Sequence, residues 1–268
     1  MLSLLASLAL ILPVLDDKSA PPDPAKIQAA VSGLEKAFKP SGEAKERVEA
    51  IRAAAELPDA EIVKRIGKGL TDKDLEVQKA AIEALRWIHH PDALKELHAA
   101  AKNQKQYKEQ PILLADLLKA IGQYGQASSI AVLTDEVWAV QEANVLRARI
   151  LGLGQIRTKE SVEALMELMR VAGTRKMQPM MEDFRLALAV LTGADQGSSQ
   201  QLWNDWWNDN KNKLKVAEKA GELEKGLRVR WDSYWGKEGM MGTERTKKRG
   251  ERGKDDPGTG SGEKPKGG

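Results

Sequence analysis

The sequence predicts an all-α fold, a solenoid of about five stacked helical hairpins. Three observations predict it. Good helix formers dominate the 268 residues, while two Phe and three Tyr leave little material for the aromatic, β-branched core of a sandwich or barrel. Apolar residues recur at helical spacing along most of the chain. A unit of two such patterns joined by a short turn repeats at offsets of 34, 36, 32 and 35 residues, and a period in the thirties built from paired helices marks a solenoid.

In chain order, the first element is the apolar run Leu2–Leu15, broken by Ser3, Ser7 and Pro13. Its fourteen residues rise about 21 Å as a helix, short of a roughly 30 Å hydrocarbon core. Residues 1–20 therefore fit a secretory signal peptide better than a membrane span. Export to the periplasm or outside the cell is expected, with a cytoplasmic location if residues 1–15 are no signal. No Lys or Arg precedes the run, and Lys18-Ser19-Ala20 is the nearest approach to a cleavage site. Pro21, Pro22 and Pro24 favour an extended linker, and Pro24 can open a helix. Ile27, Val31, Leu34 and Phe38 then form one apolar stripe, so residues 21–42 read as linker plus N-terminal capping helix, closed by Pro40-Ser41-Gly42.

The repeats are expected over 43–210. Leu85 and Leu97 map back to Ile51 and Val63. Ile121, Tyr124, Ile130 and Leu133 map forward to Leu153, Ile156, Val162 and Leu165, and Leu153 and Ile156 to Leu188 and Leu191. The turns fall at Leu57-Pro58-Asp59, His89-His90-Pro91-Asp92, Gly125–Ser128, Arg157-Thr158-Lys159 and Thr192–Ser199, where Pro, Gly and cap-forming residues stop one helix and start the next. One hairpin cannot bury its apolar face alone, and stacking gives a continuous core.

The stretch 74–100 resembles a HEAT repeat. Asp74, Val77, Ala80-Ala81, Ala84, Leu85 and Ile88 carry the likeness, followed by the Pro91-Asp92 turn and Leu94/Leu97. The resemblance extends over about 43–210. It implies a right-handed solenoid whose second helices line the concave face. Tetratricopeptide repeats share the period, but their W-x2-L-G-x2-Y signature is missing.

The fifth unit, LTGADQGSSQQLWNDWWNDNKNKL (191–214), resembles a terminal segment of exported bacterial HEAT-like proteins. Ser198 and Gln201 have capping-box spacing. Trp203, Trp206 and Trp207 share one helix face and are expected to form a structural end cap, although a recognition patch would use the same residues. Residues 211–235 read as a C-terminal capping helix and extension. Leu214, Ala217, Ala220 and Leu223 predict helix up to Gly226; the alternation of Leu227, Val229 and Trp231 predicts a short extended or irregular piece over 227–235, folded back on the solenoid's end, with Trp231 and Trp235 packing on the same end as the cap. The tail 236–268 holds ten of 23 Gly and almost no large apolar side chains, so it is expected to be disordered. It also carries the whole net charge: nine Lys/Arg against six Asp/Glu give the tail +3, and the chain totals +3.

Little catalytic chemistry is available. The chain has no Cys and three His, which excludes thiolate catalysis, thiolate metal sites and disulfides. His89, His90, His98, Asp92 and Glu96 lack metal-site spacing and read as turn and surface residues. Gly152-Leu153-Gly154 lacks a third glycine and a preceding strand, so its glycines read as close-packing positions. Lys64, Arg65 and Lys68 read as a solvated helix face rather than a phosphate-binding patch. No catalytic residue, cofactor or metal is expected, nor any specific nucleic acid.

Trp138 is the candidate contact residue. It falls about 120° from the centre of the apolar face formed by Ile130, Leu133, Val137 and Val140. The repeat offsets align it with Lys102 and Arg170, so an indole between two cations is expected on the concave face; packing over an inter-repeat seam is the other reading. The function these features favour is non-catalytic protein–protein interaction or scaffolding by a monomer. An enzyme or enzyme subunit resembling HEAT-like bilin lyases is the alternative, and a weak nucleic-acid binder the second.

Overall fold

The computed structural model describes residues 22–236 apart from 89, 103–106 and 108. The expected signal segment, the tail beyond Gly236 and His89 therefore lie outside the described residues, which contain helices and turns but no strand.

Helix α1 (Pro24–Ala37) begins where the Asp23 carboxylate accepts from the Ala25 amide, with Pro24 in the first position. Five hairpins follow: α2 (Ala44–Ala54) with α3 (Ala60–Gly67), α4 (Leu75–Trp87) with α5 (Pro91–Lys102), α6 (Pro111–Gln123) with α7 (Ile130–Thr134), α8 (Ala143–Gln155) with α9 (Lys159–Thr174), and α10 (Met181–Thr192) with α11 (Gln200–Asn210). Side-chain caps set many of the starts. Asp59 accepts from the amides of Glu61 and Ile62, Asp74 from Glu76 and Val77, and Thr158 from Ser161, each replacing a partner that a first turn lacks. The pairing expected of Ser198 with Gln201 gives way to Ser199, one residue on, which caps α11 by accepting from Leu202.

First helices α2, α4, α6, α8 and α10 stack in one row, second helices α3, α5, α7, α9 and α11 in another, and α1 closes the first hairpin. The arrangement is an α-solenoid. Its core lies between the rows, where Ile51, Ile62, Leu85, Leu97, Leu117, Leu133, Leu153, Leu165 and Leu188 are fully buried. The first row packs tightly at its glycines. A Cβ on Gly122 would lie 2.6 Å from the Gly152 Cα, and one on Gly154 2.9 Å from the Ala187 Cβ, so only glycine permits these crossings.

The C-terminal region corrects the sequence reading in three ways. Residues 214–224 are not helical. Gly221 weakens a helix there, and an extended chain covers about 3.3 Å per residue against 1.5 Å in a helix. The strap can thus run back along the molecule, with Leu214, Val216 and Leu223 packed on the core. Arg157 fastens it, donating from Nε to the Ala217 carbonyl at 2.5 Å and from Nη1 to the Val190 carbonyl at 3.1 Å.

Second, residues 225–235 form a helix, α12 (Lys225–Trp235), where an extended or irregular piece was expected over 227–235. Leu227, Trp231 and Trp235 form a buried i, i+4, i+8 stripe, whereas Val229 is 47% exposed. The helical period thus overrides the short alternation. Glu224 caps the start by accepting from the Gly226 amide, and Gly236 ends the helix at φ 80°.

Third, Trp231 and Trp235 do not join the end cap. Helix α12 lies across the row of first helices. Trp231 packs at Gly154 of α8 and Trp235 at Gly122 of α6. Arg86 of α4 donates to the Trp235 carbonyl at 3.1 Å, and Arg230 pairs with Glu182 of α10 at 2.9 Å. One short helix thus ties together four repeats that otherwise touch only their neighbours.

Candidate functional site in the third repeat

Helix α7 has five residues, against twelve in α5 and sixteen in α9 on either side. The expectation of a continuous second helix from Ile130 to Val140 is therefore corrected. Thr134 Oγ1 donates back to the Ile130 carbonyl at 2.9 Å, a local bond that competes with helix continuation. Asp135 is extended and Glu136 is left-handed at φ 43°, ψ 39°. The strained Glu136 turn redirects the chain, and Val137–Ala139 forms a single 3₁₀ turn.

The early stop leaves carbonyls of α7 without helical partners. Arg149 of α8 supplies them from beneath: its Nη1 donates to the carbonyls of Val132 at 3.1 Å and Leu133 at 2.9 Å. Arg149 is 7% exposed, and its Nε has no hydrogen-bond partner. Burial pushes its pKa down to about 10, against the opposing pull of the Asp135 and Glu136 charges.

Because α7 is short, the second-helix row has a notch between α5 and α9. Two clefts flank the ridge made by Glu136 and Ala139. The first, about 310 Å³, has an apolar floor including Leu114, Leu118 and Val140, with Arg149 in its lining and Lys102 at its exposed side. The second, about 380 Å³, is bounded by Thr134, Trp138 and Leu168.

The sequence-predicted contact residues are only partly brought together. Lys102 borders the first cleft and Trp138 the second, on opposite sides of the ridge. Trp138 is half-buried against the core, so it also covers a seam. Arg170 is paired with Glu167, with Nη2 2.6 Å from Oε1, and the cation over the Trp138 ring is Arg175, 5.1 Å from the centroid. The offset alignment chose Arg170 because it assumed an unbroken helix in the third repeat. Arg149 and Arg175 were missed. The signal for Arg149 was a second cation, two residues after Arg147, directly ahead of the Ile150–Gly154 apolar run of α8.

Elsewhere, Trp203 is fully buried, donates from its indole N–H to the Gly197 carbonyl at 2.8 Å, and meets Trp206 edge-on at 5.6 Å. Trp206 and Trp207 are half-buried on the same terminal helix. His98 Nε2 lies 2.9 Å from Ser129 Oγ, and burial lowers its pKa. Arg65 is engaged by Glu35 and Glu61. Among the described residues, no group of three His, Asp or Glu is placed to hold a metal ion, and no helix is long and apolar enough to cross a membrane.

Stacked hairpins of this kind define an α-solenoid protein. Residues 31–110, spanning the end of α1 and the first two hairpins, match the family profile of HEAT repeats. No curated protein matches the chain.

Proposed function

We propose that this chain is a non-catalytic protein-interaction module that receives an extended segment of a partner protein in the notch of the third repeat. HEAT repeats generally mediate protein–protein interaction or scaffolding and are typically non-catalytic. The observation that carries the reading is the break after Thr134, which opens two adjoining clefts where an unbroken helix would fill the row. The surrounding solenoid holds the site rigid, so little ordering entropy is lost on binding. The opposite, first-helix face is already covered by α12 across the third to fifth repeats. Export of the protein is part of the same proposal, and N-terminal sequencing of the mature chain tests it.

The interaction test compares Trp138→Ala with Trp206→Ala in affinity capture from the native source. Trp138→Ala, with an unchanged circular dichroism spectrum, is expected to lose partners that Trp206→Ala retains. A folded Trp138→Ala that keeps its full partner set overturns the proposal.

A further inference from the structure

Helix α12 crosses the first-helix row in a definite direction. Arg230 pairs with Glu182 of α10, Trp231 packs at Gly154 of α8, Trp235 packs at Gly122 of α6, and the Trp235 carbonyl accepts from Arg86 of α4 at 3.1 Å. Each step along α12 lies one repeat nearer the start of the solenoid, and the next first helix in line is α2. Between α2 and α4 lies a cleft of about 300 Å³ with no residue of α12 in its lining. Ala55, Ala80 and Ala84 line it together with Trp87, the one exposed Trp among the described residues. The Trp87 indole N–H is already used on Glu83 Oε1 at 2.6 Å, so the ring offers its apolar surface. The charges at the rim, Arg52 and Lys79 against Glu76 and Glu83, balance, and the two carboxylates are paired with Lys79 and Arg86. Such a cleft suits an uncharged apolar side chain and selects no ion.

The end of α12 stands beside it. The Arg86 guanidinium that holds the Trp235 carbonyl also lies 4.6 Å from the centroid of the Trp87 ring. Residues 237–268 lie outside the described residues, and their large apolar side chains are Met240 and Met241. Four residues of extended chain beyond Gly236 cover about 13 Å, more than the roughly 8–10 Å between neighbouring helix axes. We infer that the α2/α4 cleft is the docking site of the chain's own C-terminal segment, with the Met240-Met241 pair seated between the helices against the Trp87 ring. A thioether packs favourably at an aromatic ring, and the unbranched Met side chain fills irregular gaps. The short tether gives the pair a high effective concentration at the cleft, so a weak contact suffices to keep it occupied and puts a partner or a second copy at a disadvantage. Seated there, the pair extends the tie made by α12 from four first helices to all five. The cleft is on the opposite face from the notch and stands independently of it.

Oxidation of the full chain by dilute peroxide tests this, because sulfoxide formation follows the exposure of the thioether. The tryptic peptide 238–245 carries both methionines, and mass spectrometry reads its oxidation rate. The pair is expected to oxidise several-fold more slowly in the folded chain than in urea. Trp87→Ala, at an exposed position and with an unchanged circular dichroism spectrum, is expected to bring the rate to that of the unfolded chain, and Trp87→Phe to restore most of the protection. Where Trp87→Ala fails to fold, Ala55→Glu on the α2 side of the cleft is read in the same way. Oxidation of the wild type at the unfolded rate overturns the inference, as it would if another segment or a partner held the cleft. Protection that persists in folded Trp87→Ala also overturns it, because the methionines are then covered elsewhere. Protection that is lost on dilution assigns the cleft to a second copy and overturns the docking of the chain's own segment.

Discussion

Replacing Trp235 by Ala tests whether α12 is a brace for the solenoid. The indole is fully buried at Gly122 and lies edge-on to Trp231 at 5.7 Å and to Tyr234 at 4.8 Å. A buried Trp removes about 150–250 Å² from water, equivalent to about 4–6 kcal/mol at roughly 25 cal/mol/Å². Its indole N–H is buried without an acceptor, a cost of about 1–3 kcal/mol already present in the native state. The expected loss on truncation is therefore about 3 kcal/mol, a large part of a domain's usual ~5–15 kcal/mol. The loss is bounded by the docking free energy of α12, because once the helix detaches nothing more can be lost there. Adding Trp231→Ala should accordingly cost much less in the Trp235→Ala background than in the wild type. Urea unfolding followed by far-ultraviolet circular dichroism measures both. Hydrogen exchange should show faster opening in α4, α6 and α8, which α12 ties together. A Trp235→Ala cost under about 1 kcal/mol, or strict additivity of the two truncations with exchange unchanged, refutes the brace.

Two further predictions rest on other parts of the fold. Gly122→Ala and Gly33→Ala should change stability in opposite directions: each gains about 1 kcal/mol of helix propensity, but the new methyl at 122 meets the Gly152 backbone at 2.6 Å while nothing lies within 4 Å at 33. Overpacking of about 1–3 kcal/mol should leave Gly122→Ala destabilised and Gly33→Ala stabilised in urea titrations. Asp195→Asn should lower Tm at pH 7, because hydrogen bonding to Arg185, at 2.8 and 2.7 Å, holds the Asp195 carboxyl below its usual pKa. A depressed folded pKa gives stability that is present above the ordinary carboxylate value of about 4 and is lost as pH falls through the folded value. The gap between wild type and variant should therefore close in acid, and a constant Tm difference from pH 7 to pH 2 contradicts the assignment.

Much of the solenoid was legible because its signals are local. The offsets of Leu85, Ile121, Leu153 and Leu188 report a stacking period directly. Asp59, Asp74 and Thr158 cap helices through amides two or three residues away. Gly152 and Gly154 were readable as packing positions because a glycine pair inside an apolar helix has few other uses. The candidate site was less legible. Trp138 and Lys102 were named and do border the two clefts, but Arg170 was placed by extending a helix that stops at Thr134. Residues Thr134-Asp135-Glu136 can continue a helix or end one, and short-range propensity does not choose between them. Arg149 chooses, by satisfying the carbonyls of Val132 and Leu133 from another helix.

The C-terminal region shows the same division. Leu227, Val229 and Trp231 fit an alternating pattern, and Leu227, Trp231 and Trp235 fit a helical one; both are in the sequence. Only the glycine-lined groove on the first-helix row, waiting for two indoles one helical turn apart, selects the helix and leaves Val229 in solvent. The sequence by itself therefore determined the repeat, its helical pairs and their caps, since period and capping depend on residues close together in the chain. Tertiary structure decided where the chain departs from the repeat: the short α7, the Arg149 cleft and the α12 brace. Each depends on a partner 15 or more residues away, whose position exists only once the hairpins have stacked.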